Sequence, residues 1–197
     1  MPKTHKEVVY DIDIVMNKFR QSIENNLVYK KQQNMLDWLN TFSDYLANEQ
    51  NFDPLTDTLK YNAGAILCVD LGFNPKSEHG GRHYAVVVED NDKKSNTVMI
   101  VPLGSQKTGT KVNWNDVDLG IIEEINKLKG EEGVKSIAKI SNMCSISKMR
   151  IVQPVNANKK IIYLDSDKLK LIYDKIRQRF TTKGLNRKQN KRNITQK

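Results

Sequence analysis

At 197 residues, the chain is long enough for one main domain and an accessory element. Its 38% hydrophobic and 28% charged residues exclude a wholly disordered chain, and no apolar run approaches the ~20 residues needed to span a bilayer. A net charge of +9 points to an anionic partner, with nucleic acid the first candidate.

Residues 6–28 place Val8, Ile12, Val15, Phe19 and Ile23 at spacings of three and four, with no glycine or proline between them. That periodicity predicts an amphipathic helix. A second helical stripe follows with Met35, Leu39, Phe42 and Leu46, flanked by Trp38 and Tyr45. A break near Asn25-Asn26 makes the pair a helical hairpin, or one bent helix, whose apolar stripe needs a covering surface. Residues 51–58 (NFDPLTDT) read as a polar linker carrying a proline. The expected organisation is a helical extension over 1–58, a β-rich domain with a C-terminal helix over 59–181, and a basic tail over 182–197.

The β-rich domain opens with the apolar run Ala65–Val69. Next come the turn-rich stretch GFNPKSEHGGRH (72–83) and a second apolar run, Ala85–Val88. This is a strand, a long glycine-bearing loop and a strand, and such loops commonly present functional groups. The loop holds Lys76, Glu78, His79, Arg82 and His83, including two of the chain's three histidines. Further strands are expected at Thr97–Leu103, Lys111–Asn113, Lys135–Ile140 and Ile151–Val155, with a turn over Asp90–Asn96. Short strands at regular intervals favour a small barrel. Residues 119–128 (LGIIEEINKL) fit a short helix ended by Gly130 and Gly133, among other readings. A last helix starts at Asp165 or Ser166, a suitable N-cap, and carries Leu169, Ile172, Ile176 and Phe180 on one stripe. The tail bears Lys183, Arg187, Lys188, Lys191, Arg192 and Lys197 and no acid, a composition that favours disorder. It also suits a salt-sensitive arm for nucleic acid.

Cys68 and Cys144 form no C-x-x-C pair, which argues against a zinc site, and Cys68 reads as a small core residue. No N-terminal signal segment is visible, so the expected location is the cytoplasm.

Three ordered segments carry a resemblance. They are DLG…SEHGGRHYAVVV (70–88), TVMIVPLGS (97–105) and ISNMCSISKMRI (140–151). Together they resemble the PemK/MazF family of toxin endoribonucleases over about residues 62–152. The resemblance implies an α+β, mainly β fold: an SH3-like barrel, here with an N-terminal helical hairpin and a C-terminal helix, typically a homodimer. It also implies metal-independent, sequence-selective cleavage of single-stranded RNA to 2′,3′-cyclic phosphate and 5′-hydroxyl ends. The implied partner is a cognate antitoxin, and no cofactor or membrane is implied.

Such cleavage needs a base for the 2′-hydroxyl, an acid for the 5′-oxygen and cations for the phosphate. Histidine titrates near neutrality, and arginine stays charged. The resemblance casts His83 as general acid or base, Arg82 as the transition-state clamp and Ser105 as a donor to a phosphate oxygen. Glu78 and His79 fall in the loop that walls the substrate groove. Lys139, Ser141, Lys148 and Arg150 form the remaining substrate-binding set. Family members usually read G-G-x-R-P with a catalytic arginine; here His83 stands at that arginine and Tyr84 at the proline. Where the family often has P-(L/V)-T-S, Gly104 replaces the threonine and Ser105 follows. Lys139 and Ser141 align with an arginine and an aspartate that act in some members. Strand alternation would send Arg82 and His83 to opposite faces, leaving one of them to face the groove. Two rival functions are a degenerate barrel that binds RNA or DNA without cutting it, and a topoisomerase-inhibiting toxin of the same fold.

Overall fold

The structure is a computed structural model that describes residues 3–76, 78–106, 109–156 and 158–181. The chain divides into two units, Met1–Ala47 and Asn48–Lys197. The basic tail expected over 182–197 lies outside the described residues.

The first unit is a helical hairpin of α1 (His5–Asn26) and α2 (Tyr29–Asn48). Thr4 and Glu7 form a reciprocal capping box that satisfies amides at the start of α1. The chain reverses at Leu27-Val28, slightly later than the asparagine pair suggested. There Gln32 Nε2 donates to the Leu27 carbonyl at 2.9 Å. Phe19, Ile23, Met35, Trp38, Leu39 and Tyr45 are half-buried, and Trp38 stacks on Phe42 with ring centroids 5.5 Å apart. Neither helix contains a fully buried residue.

The second unit begins with a short helix, α3 (Pro54–Asp57), inside the stretch read as a linker; Asp53 caps it. Eight strands follow among the described residues: β1 (Ala65–Asp70), β2 (Arg82–Val87), β3 (Thr97–Ser105), β4 (Val117–Ile121), β5 (Lys135–Ala138), β6 (Cys144–Ser147), β7 (Ile151–Gln153) and β8 (Ile162–Tyr163). Helix α4 (Glu123–Lys129) follows β4, and α5 (Ser166–Phe180) ends the described fold. Asp165 is the N-cap residue of α5, but its side chain makes no capping bond. No helix among the described residues is long and apolar enough to cross a membrane.

All pairings are antiparallel, and they close a barrel. β1 pairs with β2, β2 with β3, and β3 with β6. A 3-10 turn at Lys148–Arg150 carries the chain from β6 into β7, which returns to β1. This is the SH3-like barrel that the resemblance implied. Leu67, Val69, Ala85, Val87, Val98, Ile100, Ile146 and Ile151 belong to the cluster that fills it. The alternate residues Ile66, Val86, Val101 and Leu103 join a second cluster with Val117, Leu119, Ile125 and Ile172 of β4, α4 and α5. β1 and β2 are thus covered on both faces, and so read as continuous apolar runs rather than alternating ones.

Residues 111–113 are not a strand. Asp116 N–H bonds the Asn113 carbonyl at 2.9 Å, and Asn115 N–H bonds the Asn113 side chain at 3.0 Å, so this stretch is a turn. The strand comes later, as Val117–Ile121, and the ambiguous segment after it resolves into α4.

Candidate active site

β2 and β3 pair only as far as Ala85 opposite Pro102. Proline has no N–H to give a ladder. Beyond it, β3 continues with β5, matching Leu103 to Ala138 and Ser105 to Ser136, whereas β2 stays with β1 down to Arg82 opposite Asp70. A cavity of about 720 Å³ is lined by the diverging ends of both strands. β2 contributes Arg82, His83 and Tyr84; β3 contributes Leu103, Gly104 and Ser105. His79, Lys139, Cys68, Ser136, Ile125 and Lys129 complete the wall.

The divergence alters the expected choice between neighbours. By alternation Arg82 and Tyr84 share the face of Val86, and His83 that of Ala85. Both Arg82 and His83 nonetheless line the cavity, because it opens where the two strands have separated.

The loop before β2 is closed at its base. Gly81 N–H bonds the Gly72 carbonyl at 2.6 Å, and Leu71 N–H bonds the Gly81 carbonyl at 2.9 Å. A Cβ at Gly80 would come within 2.7 Å of the Gly72 carbonyl oxygen, so only glycine fits this approach. Asn74 Nδ2 donates to the His79 carbonyl at 2.8 Å and holds the loop from within. The fold sets His79 against His83, their ring centroids 4.0 Å apart.

His83 Nε2 lies 2.9 Å from the Gly80 carbonyl. A carbonyl only accepts, so Nε2 carries the hydrogen and, in the neutral ring, Nδ1 holds the lone pair. Burial pushes the His83 pKa down, opposed by the carbonyls of Gly80 and Leu103. His79 is held lower, at about 4, first by burial, then by the charges of His83 and Lys139. Its Nε2 is buried and has no hydrogen-bond partner.

Two lysines face this pair. Lys129, in the last turn of α4, donates from Nζ to Ser105 Oγ at 2.8 Å and pairs with Glu131 at 3.0 Å. With its oxygen occupied by the ammonium, the Ser105 hydroxyl is left to donate its own proton. Lys139 Nζ pairs with Asp116 at 2.8 Å. Cys68 is half-buried and reaches the cavity wall, unlike the core residue read from the sequence; burial pushes its thiol up, with Arg82 acting in the opposite direction.

The fold therefore gathers His79, Arg82, His83, Ser105 and Lys139 around one space, and leaves Glu78, Ser141, Lys148 and Arg150 outside its wall. Glu78 is exposed on the loop. Lys148 is only 1% exposed, and its Nζ donates to the carbonyls of Asp92 and Lys93 at 2.9 and 3.1 Å. A buried ammonium needs such acceptors, and here it ties the β6–β7 corner to the β2–β3 turn rather than facing a ligand. Arg150 Nε donates to the Asp70 carbonyl at 2.8 Å, and Ser141 Oγ accepts from Arg179 at 2.6 Å.

Sequence reasoning missed Lys129, Asp116 and Tyr84 as parts of the site. A readable signal existed for Lys129: it is a basic residue in a helical last turn, directly before the left-handed Gly130 cap. Asp116 carried none, since its role depends on where the turn at residues 113–116 lands. Among the described residues, no group of three or more His, Cys, Asp or Glu side chains is placed to hold a metal ion.

The family model described as PemK-like, MazF-like toxin of type II toxin-antitoxin system matches residues 62–180. Among solved structures, the chain is similar to the crystal structure of MazF (Form-I) from Deinococcus radiodurans. That match has a TM-score of 0.42 and 14% identity over 60% of this chain and 94% of that one. It is also similar to MazE-MazF (Form-III) from the same organism, with a TM-score of 0.38 and 16% identity over the same shares of each chain. No curated protein matches.

Proposed function

Because this chain belongs to the PemK-like, MazF-like toxin family of type II toxin-antitoxin systems, we propose that it is an endoribonuclease whose active site is the cavity between the diverging ends of β2 and β3. The observation that supports this most is the set of groups on that wall: two imidazoles in contact, a hydroxyl bonded to an ammonium, and further cations. These are the groups that RNA cleavage by its own 2′-hydroxyl requires.

In the proposed reaction, His83 Nδ1 takes the proton from the ribose 2′-hydroxyl, and the 2′-oxygen attacks the adjacent phosphorus. A new P–O bond forms and the bond to the 5′-oxygen breaks. Lys129 is the proposed donor to that departing oxygen; solvent then restores its proton and takes up the one held by His83. Ser105 donates to a non-bridging phosphate oxygen, while Arg82 and Lys139 offset the growing negative charge. The products are a 2′,3′-cyclic phosphate and a 5′-hydroxyl. The neutral state of both imidazoles suits a base, since burial keeps His83 below its ordinary pKa. His79, with a free ring nitrogen, wedges His83 in place.

Lys139 is already paired with Asp116, so incoming phosphate has to displace that carboxylate. Glu78, Ser141 and Arg150 belong to the proposal only as flanks of the groove. The proposed partner is an antitoxin, in keeping with the type II toxin-antitoxin description of the family, and the proposed assembly is a homodimer.

The test is a transcript pool incubated with purified protein in excess chelator. Discrete fragments with cyclic phosphate ends support the reading. Binding without fragments, or a strict need for added magnesium or manganese, overturns it.

A further inference from the structure

Trp114 lies in the turn ahead of β4 and is 65% exposed. The Arg179 guanidinium carbon lies 5.6 Å from its ring centroid and 5.1 Å from that of Phe180, itself 55% exposed. Trp114 and Phe180 are thus largely exposed aromatic rings that both lie against the Arg179 guanidinium. The cluster is braced from two sides: Lys175 Nζ donates to the Trp114 carbonyl at 3.0 Å, and Arg179 donates to Ser141 Oγ at 2.6 Å. These bonds fix the turn against the last turns of α5 and limit the ordering that a ligand would have to impose.

The cluster adjoins the candidate active site. Ser141 follows Lys139 by two residues, and Asp116 follows Trp114 by two; Lys139 and Asp116 are the ion pair at the cavity wall. Arg179 and Trp114 are thus held at residues two positions from each member of that pair, beside the proposed phosphate site. Every base has a π-face, and single-stranded nucleic acid is commonly held by aromatic platforms with cations between them.

We propose that Trp114, Arg179 and Phe180 form a subsite for single-stranded RNA, in which a base flanking the cleaved phosphate stacks on Trp114 while Arg179 and Lys175 meet the backbone. This rests on the reading of the cavity as RNA-cleaving. RNA is favoured over an acidic peptide because the exposed part of the cluster is aromatic as well as cationic. Stacking tolerates any base, so the subsite adds affinity for longer RNA and leaves the choice of cut to the cavity.

The test uses the full chain carrying Trp38→Phe, which leaves Trp114 as the only tryptophan, and a non-cleavable 2′-O-methyl RNA of about eight nucleotides. Its fluorescence should be quenched on binding. Trp114→Ala should weaken binding of that RNA by about 5- to 150-fold, the effect of one lost stacking contact. Trp114→Phe should restore most of it, and a trinucleotide should bind all variants alike. Fluorescence unmoved by RNA overturns the subsite even if Trp114→Ala fails to fold. Wild-type affinity in Trp114→Ala, or quenching by an acidic peptide but not by RNA, overturns it too. Cleavage in chelator separates the two readings. Quenching without cleavage leaves the subsite standing and removes the nuclease; cleavage with no effect of Trp114→Ala does the reverse.

Discussion

Two imidazoles in ring contact cannot both be charged at low cost, and burial makes even one charge unfavourable. His79 accordingly sits at about 4, against an ordinary value of 6.5. Because its folded value lies below the unfolded one, the unfolded chain binds more protons between those two pH values. Stability from this group is full above pH 6.5 and is lost as pH falls toward 4. Denaturant melts at pH 7 and pH 5 should show that loss, and His79→Asn should lessen it. Equal losses in both proteins would show that other groups account for the acid sensitivity. At this scale the sequence was partly legible. The H-G-G-R-H and P-L-G-S strings, read through the family resemblance, pointed to His79, Arg82, His83 and Ser105, because a loop entering a strand and a strand end are local features. The position of Lys129 in a helical last turn before Gly130 was legible, but its place in the site was not, because its contact with Ser105 joins two chain segments whose meeting depends on where α4 ends.

At the scale of elements, the strands with dense β-branched runs could be read directly: β1, β2 and β3 are buried on both faces, so their apolar residues are continuous. β4 was displaced in the reading, because its alternation V-D-L-G-I runs without a break into the apolar residues that start α4. The separation of β3 from β2 at Pro102 was also hidden, although the proline was plain; its effect depends on β5 being available to take over the ladder. Gly104 lies just past that point. A Cβ there would meet Lys139 Cε at 2.9 Å, the far part of a flexible side chain. Gly104→Ala should therefore leave the melting temperature unchanged or slightly raised, while moving Lys139 off its pairing with Asp116 and weakening RNA binding. Paired melts and RNA titrations check this. Loss of the fold would mean that Lys139 cannot yield, and unchanged affinity would mean that it does not hold RNA.

For the whole molecule, the net charge of +9 is the widest clue to an anionic partner. α5, the last helix of the described fold, sets Arg179 against Trp114, and the sequence then continues with Lys183, Arg187, Lys188, Lys191, Arg192 and Lys197. If these act as an RNA arm, deleting residues 182–197 should weaken binding mainly at low salt. It should also reduce the slope of log affinity against log salt by up to about 4, since each phosphate contact on a single strand contributes about 0.7. An unchanged slope would exclude the arm. The helical hairpin was legible from its periodicity; what covers Val8, Ile12 and Val15, which are 42%, 53% and 61% exposed, depends on neighbours that no periodicity encodes. The wedge between β2 and β3 is proposed to cut RNA by proton transfer through His83. This is tested most directly by the pH dependence of single-turnover cleavage in chelator, measured for the wild type and His83→Ala. The wild-type rate should rise with pH through a value below 6.5 and then level off, because the neutral ring is the base and burial lowers its pKa. His83→Ala should lose that step and cut about 10²–10⁴-fold more slowly at the plateau, with RNA affinity little changed. A variant that cuts at the wild-type rate with the same pH profile would show that His83 is not the base.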